Sequence, residues 1–406
     1  MTVRGPKGPR RGANLQDIGI IPDGSLLIRD GVIQEVGPTR RVENLGIARE
    51  AIEIPATGRV VMPGFVDSHT HLVSPPPGLA AHEHENAVRT IRRETGQRIQ
   101  GRTQSHLETM ARHGTTTVEA KTGCGPDESA EMKLFRVFAA LQSHPLDVVP
   151  TFLFRLPRSD FAGRGELAEA AKWVWHELLP KIQRRRFAAF ADVAWEGDAG
   201  AWGLYGRYLE IARRLGFACK IHAEATDVTA AIAMAGHYGA VSIDHLEHAT
   251  AQDVELLAAS DTMATLLPCT TFHNGWASAP ARTLVDAGVA VALASNFNPQ
   301  VTPTLNMQTV VAVACMQLGM TPAEAISAAT INGAHALGRG DRVGSLELGK
   351  EADVLVLNVS DYRDVAYHLG ENLVHLTMKR GEFIYKEGDV APLDADDLRP
   401  APLWEA

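Results

Sequence analysis

His69 and His71 stand two residues apart at the end of an apolar run, Val66-Asp67-Ser68-His69-Thr70-His71, that follows Met62-Pro63-Gly64. Side chains two apart on a strand share a face. Both imidazoles therefore point the same way and can grip one divalent cation. His222 and His245 arrive at the ends of later apolar runs. Three nitrogen donors with one position left for water describe a catalytic site, since a structural site fills all four. Such a cation lowers the pKa of water to about 7 and polarises a substrate carbonyl. His69, His71 and His222 are the expected ligands. His245, within Asp244-His245-Leu246-Glu247-His248, is either a further ligand or a hydrogen-bond donor to substrate or water. Zinc is the default ion, and iron or manganese tolerates the same donors. Asp67 points to the other face and is expected to be structural. Lys121 is expected in a salt bridge rather than as a carboxylated bridge between two metals. Glu247 and His248 are expected to be solvated in the following loop.

These residues need a frame that gathers strand ends. Eight apolar runs read as strands: Val66–His71, Thr115–Lys121, Val148–Phe154, Phe190–Glu196, Ala218–Glu224, Ala240–Glu247, Met263–Cys269 and Ala290–Asn296. Most are followed by helical stretches, such as Glu128 to Leu141 after Asp127, and Ala199 to Leu215 before Gly216. Strands alternating with helices imply a parallel sheet, and eight units imply a (β/α)8 TIM-like barrel whose working residues lie at the C-terminal strand ends. A doubly wound open sheet is the competitor, but no glycine-rich phosphate turn follows an early strand. The first segment holds two apolar runs joined at Asp30-Gly31, a hairpin signal. The last holds Ala352–Asn358 and Leu373–Tyr385, broken at Arg380-Gly381. A small composite β-sandwich domain from both termini, residues 1–62 and 346–406, is expected around an inserted barrel, residues 63–345. Pro75-Pro76-Pro77 is expected to stiffen the loop after the first barrel strand.

Composition narrows the function classes. A barrel of about 250 residues plus a small domain uses up a chain of this length. A formal charge of −9 argues against nucleic acid or an anionic membrane as partner. The basic stretch Arg4 to Arg11 is expected to be a frayed terminus. The four cysteines are far apart, which suits a reducing, cytoplasmic setting, and no run approaches the ~20 apolar residues needed to span a bilayer.

Pro63 to Val73, His113 to Gly125, Val149 to Leu153, Lys220 to Glu224, Asp244 to Glu247 and Phe297-Asn298-Pro299, in that order, resemble motifs of the amidohydrolase superfamily, and within it of the imidazolonepropionases. Gly344 to Asp353 resembles the superfamily's re-entry into its small β domain. The resemblance runs over nearly the whole chain. It implies hydrolysis of a cyclic amide, one divalent metal, a small-molecule substrate and a homodimer.

The departures concern the chemistry. The family's aspartate at the eighth strand end, a metal ligand and proton acceptor, is here Asn296, which offers only a neutral oxygen. Its glutamate three residues after the fifth-strand histidine is Ala225, and Glu224 is the nearest carboxylate to shuttle a proton. Its substrate-binding loop arginine falls at His82, its tyrosine at Cys124 and its third-strand histidine at Leu156, beside Arg155. Asn298 alone keeps the family identity. Two readings follow. One is a metal-dependent hydrolase with an altered substrate, using His245 and Glu224. The other is a catalytically impaired relative that binds a small ligand.

Overall fold

A computed structural model describes residues 1–74, 84–124, 127–156, 164–224 and 227–388. The N-terminal hairpin forms where the sequence predicts it, from β1 (Gly24–Arg29) and β2 (Val32–Pro38). Asp30 and Gly31 lie at φ +51° and +77°, the paired left-handed conformation whose twist matches that of the strands. After β3 (Val60–Pro63) come eight parallel strands: β4 (Phe65–Asp67), β5 (Thr115–Lys121), β6 (Asp147–Phe154), β7 (Phe190–Trp195), β8 (Ala218–Ala223), β9 (Ser242–Asp244), β10 (Met263–Leu266) and β11 (Val291–Leu293). Each lies beside its neighbour in sequence. The ring closes at the C-terminal rim, where Thr70 bridges Phe297, the His71 N–H donates to the Phe297 carbonyl (2.8 Å) and the Asn296 N–H donates to the His69 carbonyl (3.1 Å). All eight expected strands are present, and the architecture is the expected α/β barrel.

Several strands end earlier than expected, for local reasons. His245 and Asn296 take left-handed φ values of +55° and +50°, which take the chain out of the ladder just beyond β9 and β11. Pro268 opens the helix Pro268–Asn274 and so ends the run after β10. The helix Glu128–Ala140 starts at Asp127, whose side chain accepts from the Ala130 N–H (3.1 Å).

The C-terminal strands β12 (Val354–Leu357), β13 (Val374–Lys379) and β14 (Glu382–Lys386) join β3 in an antiparallel sheet of order β14-β13-β12-β3. Its turn at Arg380-Gly381, φ +49° and +77°, repeats the first hairpin's device. The hairpin β1–β2 attaches through Ile33 and Lys350 (2.9 Å), and Ile33, Leu346, Val354, Val356, Leu376 and Met378 share one apolar core. Strands from before and after the barrel therefore share this sheet and core.

The basic N-terminal stretch is not frayed. Arg10 is 2% exposed, donates to the Val3 and Asp17 carbonyls, and exchanges main-chain hydrogen bonds with the Asn332 side chain (2.7 and 2.9 Å). Val3 and Leu15 enter the main core. Apolar anchors on both sides of the basic residues tie them to the barrel. Among the described residues, no helix is long and apolar enough to cross a membrane. Pro75-Pro76-Pro77 lies outside the described residues.

Candidate active site

Alternation along the barrel strands decides what meets inside. On β5, Glu119 and Lys121 alternate with Val118 and Ala120; on β8, Lys220 and His222 alternate with Cys219 and Ile221. Parallel register sets Asp192 beside Lys220 and His222 beside Asp244. Their side chains meet across the barrel. Lys121 Nζ contacts Asp192, with Glu119 at 3.3 Å and Asp244 at 3.8 Å. Lys220 Nζ donates to Glu119 (2.7 Å) and to the Ser68 carbonyl (3.2 Å). These five charged side chains are all at most 2% exposed. Lys121 is thus a salt-bridge partner, as expected.

Above this layer the imidazoles converge. His69, His222, Asp244 and His245 each offer a donor atom, all within 4.8 Å of one another. The Asp244 carboxylate sits between two rings, 2.6 Å from His69 Nδ1 and 2.9 Å from His222 Nδ1. These contacts are close but out of line for hydrogen bonds. His69 Nδ1 and Nε2, His222 Nδ1, Asp244 Oδ1 and Asn296 Oδ1 are buried without hydrogen-bond partners. Buried polar atoms are seldom left so, and a cluster of them from several strands fits a cation. The charge balance is consistent with this: Glu119, Asp192 and Asp244 face the ammonium groups of Lys121 and Lys220, and the third positive charge comes from a protonated His222 or, in place of that proton, from a cation.

The titration behaviour follows. Burial holds His69 and His71 well below the ordinary imidazole range, in the neutral form that can coordinate. Burial would also depress His222, but Asp244 and Glu224 reverse this and push it up to about 10. Burial works against ionised Asp244 too, and the flanking His69 and His222 nevertheless hold it well below the usual carboxylate range. Burial raises Asp67 to about 6. Its carboxylate accepts from Ser295 N (3.0 Å) and Oγ (2.5 Å), which fixes the β11 end.

His71 lies beside the donor set, its ring centroid 5.4 Å from those of His69 and His222. Asn296 is buried and its Nδ2 donates to Thr270 Oγ1 (3.0 Å). His222 Nε2 lies 2.7 Å from Glu224 Oε1. Arg155 grips Glu224 through two nitrogens (2.7 and 2.8 Å) and also binds Glu196. Burial would raise Glu224, yet Arg155 and His222 hold it well below the usual range.

His71, Cys124, Arg155, Glu224 and Asn298 line one cavity of about 250 Å³, so five of the expected site residues meet there. His82 and Ala225 lie outside the described residues. A larger opening of about 630 Å³ near Val241 and Met263 holds a single imidazole, His335, and lacks the convergent polar groups of a site. Glu247 is not solvated as expected. Its side chain is 8% exposed and lies 3.7 Å from His245 Nδ1, because the turn after β9 folds back toward the rim. His248 is exposed.

Sequence reasoning missed Asp192, Lys220 and the part Asp244 plays. The signal was present as charged residues on the inward phase of otherwise apolar strands. It also missed Glu131, buried on the helix behind Cys124. Burial raises Glu131 to about 8, and it accepts the Cys124 N–H (2.6 Å), shaping the cavity wall.

Comparison with known proteins agrees with this geometry. An imidazolonepropionase from Parabacteroides distasonis is 37% identical over 94% of this chain and 96% of its own length. One from Geobacillus kaustophilus is 35% identical over 93% of each chain. Among solved structures, an E. coli guanine deaminase aligns at TM-score 0.71 and 18% identity over 95% of this chain and 97% of its own. A zinc-bound adenosine deaminase from Xanthomonas campestris aligns at 0.70 and 18% over 94% and 93%. These two share the fold. The amidohydrolase family pattern matches residues 74–385, and with the barrel, the rim cluster and these relatives, the chain belongs to the amidohydrolase family of hydrolases.

Proposed function

We propose that this chain is a metal-dependent hydrolase that opens a cyclic amide at a ring C–N bond, with a substrate altered from the one its imidazolonepropionase relatives are named for. The observation that carries this reading is the set of unpartnered donor atoms on His69, His222, Asp244 and Asn296 at the barrel rim. His69, His71 and His222 would hold the ion, Asp244 would supply negative charge, and Asn296 Oδ1 a neutral oxygen; zinc is the expected metal. When bound, the ion supplies Lewis acidity and makes water acidic near neutral pH.

The chain's own groups do the rest. Water adds to the ring carbonyl, the C–N bond breaks, and the leaving nitrogen takes a proton. His245, braced by Glu247, donates a hydrogen bond to the oxygen that gains charge. Glu224 is the carboxylate placed to carry the proton. The arginine that orients it also weakens it as a base. Asn296 cannot accept a proton at neutral pH, so a slow reaction is expected.

A second reading, a ligand-binding relative with little turnover, is favoured by that same amide, whose Nδ2 is already committed to Thr270. Elemental analysis of purified protein, followed by a screen of cyclic ureas, lactams and imidazolones, separates the two. The hydrolase reading expects about one metal equivalent per chain and turnover that chelation abolishes and zinc restores. Loaded protein that turns over no member of the screen favours the second reading. Metal below roughly a tenth of an equivalent after reconstitution overturns the hydrolase reading.

A further inference from the structure

Asn296 is anchored through both its main chain and its side chain. Its N–H donates to the His69 carbonyl (3.1 Å), which fixes the residue beside the first histidine of the donor set. Its φ of +50° is a left-handed conformation that asparagine adopts more readily than most residues. The side chain is buried, and Nδ2 donates to Thr270 Oγ1 (3.0 Å). Thr270 is itself held. It lies in the first turn of the helix Pro268–Asn274, where its N–H donates to the Leu267 carbonyl (3.0 Å) and its carbonyl accepts from Asn274 Nδ2 (2.8 Å). Its hydroxyl also accepts from Thr302 Oγ1 (3.1 Å), and Thr302 exchanges two main-chain hydrogen bonds with Asn298 (3.0 and 2.9 Å). Both threonines are buried. A hydroxyl has two acceptor lone pairs, and here Thr302 takes one and the amide nitrogen the other.

An amide is a metal ligand at only one of its ends. Its oxygen has lone pairs to give, whereas its nitrogen carries two hydrogens. Resting on the metal-dependent reading above, we infer that Thr270 is a positioning residue for Asn296: it holds the amide nitrogen and so leaves Oδ1 as the atom offered to the cation. Without the hydroxyl, Nδ2 loses this acceptor and the amide is free to turn about its last torsion. The role suits asparagine specifically. A carboxylate presents oxygen at both ends, so its orientation needs no such choice.

Zinc affinity, measured by competition with a chelator, tests this on four purified proteins: the wild type, Thr270→Val, Asn296→Asp and the double variant. Valine keeps the shape of the side chain and removes the hydroxyl. Thr270→Val should weaken zinc binding roughly tenfold in the wild type and less than about twofold in the Asn296→Asp background. Thr270→Ser returns the hydroxyl and should recover the wild-type affinity to within about twofold. Unchanged affinity in Thr270→Val overturns the inference. So does an equal loss in both backgrounds, which is what a merely structural role would give. If the valine variant shows no cooperative urea transition, Thr270→Ala carries the same comparison. Wild-type protein that takes up no zinc overturns the inference together with the hydrolase reading. Coupled zinc binding without turnover of any cyclic amide leaves the inference standing and overturns the hydrolase reading alone.

Discussion

Among the described residues, a half-exposed cluster of charges and a fully buried one differ in how they are completed. At the junction of the antiparallel sheet with β6, Lys379, Arg380 and Arg342 face Asp147, Glu351 and Asp353. Asp147 binds Lys379 (3.0 Å) and Arg380, Asp353 binds Lys379 (2.6 Å) and the Arg380 N–H (3.2 Å), and Glu351 binds Arg342 and Arg380 (3.1 Å). Three cations meet three anions, and every carboxylate oxygen has a partner. Under the barrel rim, three carboxylates meet two ammonium groups and the His222 imidazole, and atoms of His69, His222, Asp244 and Asn296 are left unpartnered. Buried charge alone therefore does not mark a site. Orphaned donors converging from several strands do, because an ion taking the place of the proton on His222 would partner them together.

Adding a carboxylate to the unfinished cluster is the strongest way to test that contrast. Asn296→Asp adds a buried negative charge beside the donors, so the metal-free protein should lose stability while metal affinity rises. A base returns beside the donors, and turnover should climb on the order of 10²-fold or more. Isothermal titration with zinc and kcat on the best substrate of the screen check both. No gain in either would mean the rim is already complete without an ion.

The same logic predicts the opposite response at the junction. Lys379→Met removes the ammonium that holds Asp353, whose side chain is 2% exposed. Stranding a buried charge costs about 3–5 kcal/mol, read as a lower urea midpoint. Metal stoichiometry per folded chain should not change. A loss of metal with stability intact would show that the two clusters are one system.

Asp244→Asn tests the rim more gently. It keeps the shape between His69 and His222 but removes the anion, and metal affinity should fall about 10–100-fold. Competition with a chelator measures this, and an unchanged affinity would remove Asp244 from the donor set.

What the sequence disclosed follows the same division. The eight strands and the rim histidines were legible because apolar runs and i, i+2 spacing are local patterns. So were the two hairpins, since Asp30-Gly31 and Arg380-Gly381 encode their turns directly. Asp192, Lys220 and Asp244 were illegible as a group, because their meaning depends on the register of β7, β8 and β9. The return of Glu247 toward His245 and the burial of Arg10 depend on tertiary folding that no local pattern shows.

Glu131 belongs to neither cluster, and it sharpens the contrast because among the described residues no lysine or arginine forms an ion pair with it. Thr122 and the Cys124 N–H hydrogen-bond to it, but burial dominates and raises it to about 8. Its unfolded value is near 4.5. Between these two values the unfolded chain ionises while the fold keeps the proton. The stability Glu131 lends is full below about 4.5 and drains away as pH rises through about 8, at up to ~1.4 kcal/mol per pH unit. Glu131→Gln keeps the neutral shape and cannot ionise, so its urea midpoint should decline less over that range, the two curves diverging toward high pH. Parallel curves would mean that Glu131 is ionised in the fold, and a cation near Cys124 would then have to be found.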